Sequence, residues 1–343
     1  QSLTGQSSCE SAEAGYYVDS TGSDSQTECA VGTYQSLTGQ SSCESAEAGY
    51  YVGTTASTVQ TQCAVGTYQA VTGQSSCNEA ETGHYVDIIG SDSQISCEIG
   101  SYNPNTGSTS SNDCLASDAG YYVDTTGADS QRECAVGTYQ DSIGQISCTD
   151  AEPGNYVDST ASTSQTECAI GTYNPNSGSS TISDCLDADP GHYVDSTGSD
   201  SQTECDVGTY QIGTGQISCE DADAGHYVDS TGSDSQTECA VGTYQSSTGQ
   251  ESCLDAEAGH YVDSTGSDSQ TECSVGTYQS STGQESCLDA EAGYYVDSTG
   301  SDSQTECSVG TYQSLTGQSS CESAEAGYYV DSTGSDSQTE CAV

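Results

Sequence analysis

Of the chain's 343 residues 52 are Asp or Glu and a single one, Arg132, is basic, so the formal net charge is −51. That charge excludes nucleic acid and anionic membrane surfaces as partners and leaves cations as natural ones. With no Phe, Trp or Met and 31% hydrophobic residues, much of that Ala, Val, Tyr and Cys, the chain cannot build a large apolar core, and no enzyme centred on one pocket is expected.

In chain order, residues 1–28 form a partial repeat, followed by units at 29–62, 63–96, 97–133, 134–167, 168–204, 205–238, 239–272, 273–306 and 307–340, with 341–343 opening the next. Residues 1–31 recur letter for letter as 313–343, which reads as a window from a longer array. Successive cysteines are 20 and 14 residues apart in alternation, as in Cys9, Cys29, Cys43, Cys63 and Cys77. A spacing of 17 replaces 14 only at Cys97 to Cys114 and Cys168 to Cys185. Both longer loops carry an Asn-Pro-Asn insert, Asn103 to Asn105 and Asn174 to Asn176, whose turn formers are expected to lengthen an exposed loop. Regular cysteines in a chain of Ser, Thr, Gly and acids imply a disulfide framework, an oxidising compartment, and an extracellular or cell-surface location. No apolar run is long enough to span a bilayer, so no membrane insertion is expected.

Each unit hides a half-repeat. Cys29 to Cys43 aligns with Ala12 to Gln26, placing Gly32 on Gly15 and Tyr34 on Tyr17. The underlying period is therefore 17, with the cysteine pair of one half replaced by Ala and Gln in the other, as at Ala46 with Gln60 and Ala222 with Gln236. Because both partners are lost together, the expected bridges are Cys29–Cys43, Cys63–Cys77, Cys97–Cys114, Cys134–Cys148, Cys168–Cys185, Cys205–Cys219, Cys239–Cys253, Cys273–Cys287 and Cys307–Cys321. Cys9 and Cys341 would then pair outside the window. The rival scheme, Cys9–Cys29 through Cys321–Cys341, closes ten bridges and stays open, since spacing alone does not fix connectivity.

Each half-unit has strand formers around Gly-x-Tyr, a Thr-Gly turn and a short return, which predicts a small irregular hairpin. The two residues between halves, such as Glu44-Ser45 or Thr27-Glu28, read as connectors too short for flexible spacing. The fold class expected is thus all-β and irregular: a disulfide-rich tandem-repeat rod of stacked small hairpins in 17-residue half-units and 34- or 37-residue units. All 24 tyrosines fall at two repeat positions, and a ladder of stacked rings is the expected core.

The segment from Cys29 to Cys43, with Cys-Ala-Val-Gly-Thr-Tyr-Gln followed by Thr-Gly-Gln-Ser-Ser-Cys, resembles the cysteine-rich repeats named after the ephrin type A/B receptor tyrosine kinases. More distantly it is similar to the first submodule of tumour necrosis factor receptor repeats. The resemblance implies an extracellular disulfide-linked rod of the long repetitive kind, without catalytic residues or a required cofactor. Relatives carry a bridge in every half, whereas here every second bridge is absent.

Three kinds of chemistry merit placement. Asp19, Asp24 and Glu28 recur as Asp195, Asp200 and Glu204 and as Asp229, Asp234 and Glu238, oxygen ligands of the type that calcium takes. The alternative is a solvated acidic stripe holding counterions diffusely. The Ser and Thr residues of the turns, as in Asp19 to Ser25, offer acceptors for covalent O-glycans, whereas no Asn-x-Ser/Thr sequon occurs. His84, His192, His226 and His260 replace the first Tyr of Gly-Tyr-Tyr and read as surface residues. The function expected is a structural subunit of an extracellular fibre or surface appendage, self-associating into a filament. The alternative is an adhesin stalk or receptor ectodomain, with calcium bound along it, presenting a head outside the window.

Overall fold

The computed structural model describes residues 2–342. Gly32 begins the local structure of each half-unit. Its φ of +82° belongs to the left-handed region that only Gly enters at low cost, and it closes a turn in which Thr33 N donates to Ala30 O at 3.0 Å. Thr33 Oγ1 caps the same carbonyl at 2.8 Å. The strand Thr33–Tyr34 then runs antiparallel to Glu44–Ser45, with Thr33 opposite Ser45 and Tyr34 opposite Glu44. Thirty-eight such two-residue strands form 19 two-stranded sheets among the described residues, each strand pairing with its neighbour in sequence. No α-helix occurs among them, and the fold is all-β.

The pairs expected to be connectors are the returning strands themselves. Thr27–Glu28 pairs with Tyr16–Tyr17, and the next half starts at once, with Cys29 N bonded to Gly15 O at 2.9 Å. No linker therefore separates one hairpin from the next.

The chain divides into two compact units, Gln1–Glu152 with Tyr156–Thr166 and Ser177–Ile182, and Pro153–Asn155 with Glu167–Asn176 and Ser183–Val343. The same packing recurs inside each. A two-residue strand pair is unstable alone in water, and three backbone hydrogen bonds tie it to the following hairpin. In the first unit these are Gly49 N to Gln69 O at 2.7 Å, Val52 N to Gln74 O at 3.0 Å, and Gly73 N to Ala46 O at 2.7 Å. In the second, Gly225 N reaches Gln245 O at 2.7 Å, Val228 N reaches Gln250 O at 3.0 Å, and Gly249 N reaches Ala222 O at 2.8 Å. A hairpin also touches the one two steps on: a Cβ at Gly32 would overlap the carbonyl of Gly73, and one at Gly208 that of Gly249.

The core is small and follows the 17-residue period. Cys29 and Ala46 are fully buried at equivalent positions, and Val52 or Gln35 fills the slot after Tyr at 2% exposure each. Burying Gln costs little here because both ends of its amide are bonded: Gln35 Nε2 donates to Ser42 O at 2.9 Å and Oε1 accepts from Leu37 N at 3.0 Å. The tyrosines, by contrast, are half-buried, with Tyr34, Tyr51 and Tyr68 typical. They flank the core and do not form it, because hairpins this close leave interior room only for Ala, Cys and Val and for a Gln or Asn whose amide is bonded within the hairpins.

The Asn-Pro-Asn inserts lengthen an exposed loop as expected at Pro104, Asn105, Pro175 and Asn176, but their first Asn is not part of it. Asn103 and Asn174 are fully buried in the Gln slot. Asn103 Nδ2 donates to Ser108 Oγ at 2.8 Å and His84 O at 3.1 Å, and its Oδ1 accepts from Asn105 N at 3.1 Å. The shorter side chain brings the loop inward, and the added length is taken up in a 3-10 turn, Ser111–Asp113, closed by a capping box from Ser110 and Asp113.

Gly208→Ala is expected to destabilise its hairpin and the one at 239–253 by ~3 kcal/mol, combining left-handed strain with backbone overlap. Gly215→Ala, with a φ of +67° and its nearest contact at 3.4 Å, should cost only ~1 kcal/mol. Amide hydrogen exchange reads this locally. Equal loss of protection in the two variants would refute the close approach as the reason for Gly208.

Candidate functional surface

Covalent and hydrogen-bonded closures alternate along the chain. The bonded pairs are Cys29–Cys43, Cys63–Cys77, Cys97–Cys114, Cys134–Cys148 and Cys168–Cys185, then Cys205–Cys219, Cys239–Cys253, Cys273–Cys287 and Cys307–Cys321, with Cα atoms 5.7 or 5.8 Å apart. Cys9 and Cys341 are exposed free thiols.

In the bridge-free halves a glutamine clamps the place of the missing bond. Gln236 Oε1 accepts from Asp223 N at 2.6 Å while its Nε2 donates to Asp223 Oδ2 at 2.7 Å. Gln60 holds Glu47 in the same way, at 2.8 and 3.0 Å, as Gln131 holds Asp118, at 2.7 Å for both contacts. Sequence reasoning took these glutamines for traces of a lost bridge and missed the clamp. The signal was present: every bridge-free half has Asp or Glu 13 residues before its Gln, from Glu13 with Gln26 to Glu325 with Gln338.

The carboxylates that were candidates for an ion do not gather. Asp19, Asp24 and Glu28 are exposed, and Glu28 lies in a returning strand opposite Tyr16. Asp195 is exposed, Asp200 accepts from Ser201 Oγ at 2.9 Å, and Glu204 accepts from Thr231 Oγ1 at 3.0 Å. Asp229 and Asp234 accept from Ser230 and Ser235 at 3.2 and 3.0 Å, and Glu238 stands opposite His226. No group of three or more His, Cys, Asp or Glu side chains suited to a metal ion forms among the described residues. The bridge-free turn does enclose an open polar concavity, lined in one copy by Asp297, Ser298, Thr299, Asp302 and Ser303. Another copy has Thr163 in place of the second acid, so the concavity forms without a carboxylate pair.

Tyrosines, histidines and the one arginine line the hairpin faces. Burial and a hydrogen bond with Glu44 raise the Tyr34 phenol above its ordinary value near 10, and Glu47 adds to the effect. Burial, then Asp223 and Glu220, raise Tyr210, whereas for Tyr294 the charge of Glu306 comes first. The histidine Nδ1 atoms lie 2.9 to 3.4 Å from the carbonyls two residues before them, as in His84 with Thr82 O. Arg132 Nη1 meets Asp124 Oδ2 at 3.0 Å with both side chains largely exposed, a pair contributing ~0 to 1 kcal/mol.

The family model described as tyrosine-protein kinase ephrin type A/B receptor-like matches residues 120–168, 191–239, 225–273, 259–307 and 293–341. No individual curated protein matches the chain.

Three outcomes follow from these contacts. The double variant Ala222→Cys, Gln236→Cys should oxidise to a tenth bridge, leaving no thiols beyond those of the parent, because its positions match Cys205 and Cys219 one period earlier. Gln236→Ala alone should lower local stability by ~1 kcal/mol and speed exchange of the Asp223 amide; unchanged exchange would remove the clamp from the account. As for pH, a phenol raised on folding supports the fold fully below its unfolded value near 10 and loses that support as pH rises through the raised value. The melting temperature should therefore fall above about pH 10, and phenolate absorbance of the folded chain should lag that of the reduced, unfolded one.

Proposed function

The chain belongs to the tyrosine-protein kinase ephrin type A/B receptor-like family, and from that premise we propose that it is a structural subunit of an extracellular fibre or surface appendage. Its disulfide-laced repeats make it an extracellular or cell-surface protein. The observation that carries the proposal is the seamless junction between hairpins. With a returning strand where a linker would be, and three backbone bonds to the next hairpin, consecutive hairpins inside each compact unit have no joint at which they could bend freely. Stiffness of that kind suits a load-carrying element.

The mechanism is mechanical. Each bridge caps the extension of one hairpin, and the clamped halves between them yield first. Charge repulsion, acting over roughly 8 Å at physiological salt, keeps neighbouring chains from collapsing, and cations in the surrounding medium set its strength. The exposed Ser and Thr of the turns are open to O-glycans, and the 34-residue unit is taken as the axial building block.

Images of the native assembly should show an axial or helical repeat commensurate with the 17- or 34-residue unit, unaltered by a calcium chelator. Dispersed monomers ending in a distinct head would overturn the fibre and favour the stalk or ectodomain. A melting temperature that rises with calcium would add a bound ion to either, since a ligand held only by the folded state must stabilise it.

A further inference from the structure

Two residues after the first cysteine of every bridged hairpin stands a Val or Ile. In the first compact unit these are Val31, Val65, Ile99 and Val136, which are 50, 43, 49 and 47% exposed. The second unit continues at the same offset from Ile170 to Val309, between 42 and 60% exposed. Other exposed apolar positions do not persist: the loop position of Leu37 and Val71 is Ser142, Ser247 and Ser281 elsewhere, and the strand position of Leu254 is Glu44, Thr149 and Glu220.

Local backbone geometry does not ask for these side chains. Val31 is the second residue of the turn from Ala30 to Thr33, with Gly32 at φ +82° in third place, a turn that favours Pro at the second position. The bridge-free halves follow that preference or use a small residue there, as with Pro153, Pro190, Ala48 and Ala224. Consecutive members also sit on hairpins that touch, because Gly32, beside Val31, packs on the Gly73 turn of the hairpin that carries Val65.

We propose that this row is the lateral contact through which a second copy of the chain binds, an inference that rests on the self-assembling structural role above. Spacing commits the row to a second copy. A partner engaging one residue in every 34 needs contacts at that same spacing, and an identical chain carries them along the same path. Area agrees with this. A half-exposed Val or Ile brings about 50 Å² of apolar surface, so a single repeat falls far below the ~800 Å² per partner of a standard interface. Summed over the four bridged hairpins of the first unit or the five of the second, the row reaches about a quarter to a third of that before the flanking turn residues are counted. Association is therefore cooperative in the number of repeats. With −51 charges opposing it, it strengthens as salt shortens the range of repulsion.

Sedimentation of the full chain at ~0.01 M and ~1 M salt, where the screening length is about 30 and 3 Å, tests this. The parent should be monomeric in the first and associated in the second. Replacing the Val or Ile of every bridged turn by Thr should weaken association at least about tenfold, the worth of ~1.4 kcal/mol. The control Leu37→Ser, Val71→Ser, Leu315→Ser should associate like the parent. Thiol counts and tyrosine circular dichroism check that both variants fold. Independently of any variant, hydrogen exchange of the associated parent should protect the Val31 and Val65 turns and leave the Ala48 and Ala224 turns unchanged. An associating parent whose row variant associates equally, or whose two kinds of turn are protected equally, overturns this contact and leaves the fibre standing. A parent that stays monomeric in ~1 M salt, whether or not it binds neutral phosphatidylcholine vesicles, overturns the contact and self-assembly together.

Discussion

Backbone hydrogen bonding between consecutive hairpins is the constraint on which the rest of the structure depends. Ordering each residue costs ~1 to 2 kcal/mol of conformational entropy, and strands of two residues recover little of it within their own pair. The deficit is met by turning N–H and C=O groups of one hairpin outward onto the next, as Gly49, Val52 and Gly73 do. Such bonds need neighbours at close range, and close range needs positions without a side chain, which is why Gly32 and Gly208 face carbonyls two hairpins on.

From this arrangement the unusual composition follows. A stack held through its main chain leaves most side chains free of packing duty, so the surface can be acidic almost throughout without losing the framework. Unit 29–62 carries Gly53, Thr58 and Gln62 where others have Asp or Glu and keeps the same pairings. The interior asks only for small or fully bonded groups, met by Ala46, Cys29 and Val52 and by Gln35, whose amide is satisfied at both ends. Covalent closure is then needed only in alternate hairpins, because a Gln–carboxylate clamp closes the others.

How far the sequence foretold this depends on whether a feature repeats by residue type or by contact. The 17-residue period, the hairpins and the Gly-x-Tyr strands could be read because they recur as letters. The returning strands could not: Glu44-Ser45 and Thr27-Glu28 are polar and short, and their pairing comes from the neighbouring hairpin closing around them. Tyrosine looked like core by size, yet the spacing of hairpins, which no single residue announces, admits only smaller side chains. Asn103 carried a turn signal and was taken for an exposed residue, although it fills the slot that Gln35 fills elsewhere. For the acids, recurrence suggested an ion, whereas serine and threonine hydroxyls meet several of them and no cluster forms among the described residues. The Gln clamp was legible in principle, from an acid at a fixed distance in every bridge-free half.

The single Arg132 has a consequence for how long such a chain lasts outside a cell. With no lysine anywhere, a protease that cuts after basic residues meets one candidate bond in the whole chain, between Arg132 and Glu133. That bond lies within a strand paired to Tyr121–Tyr122, and the guanidinium is held by Asp124. Cleavage there requires an extended segment, so the hairpin must first open against its neighbours. Within these repeats a trypsin-like enzyme should therefore cut no faster than that hairpin opens, a protection built from composition and stacking together.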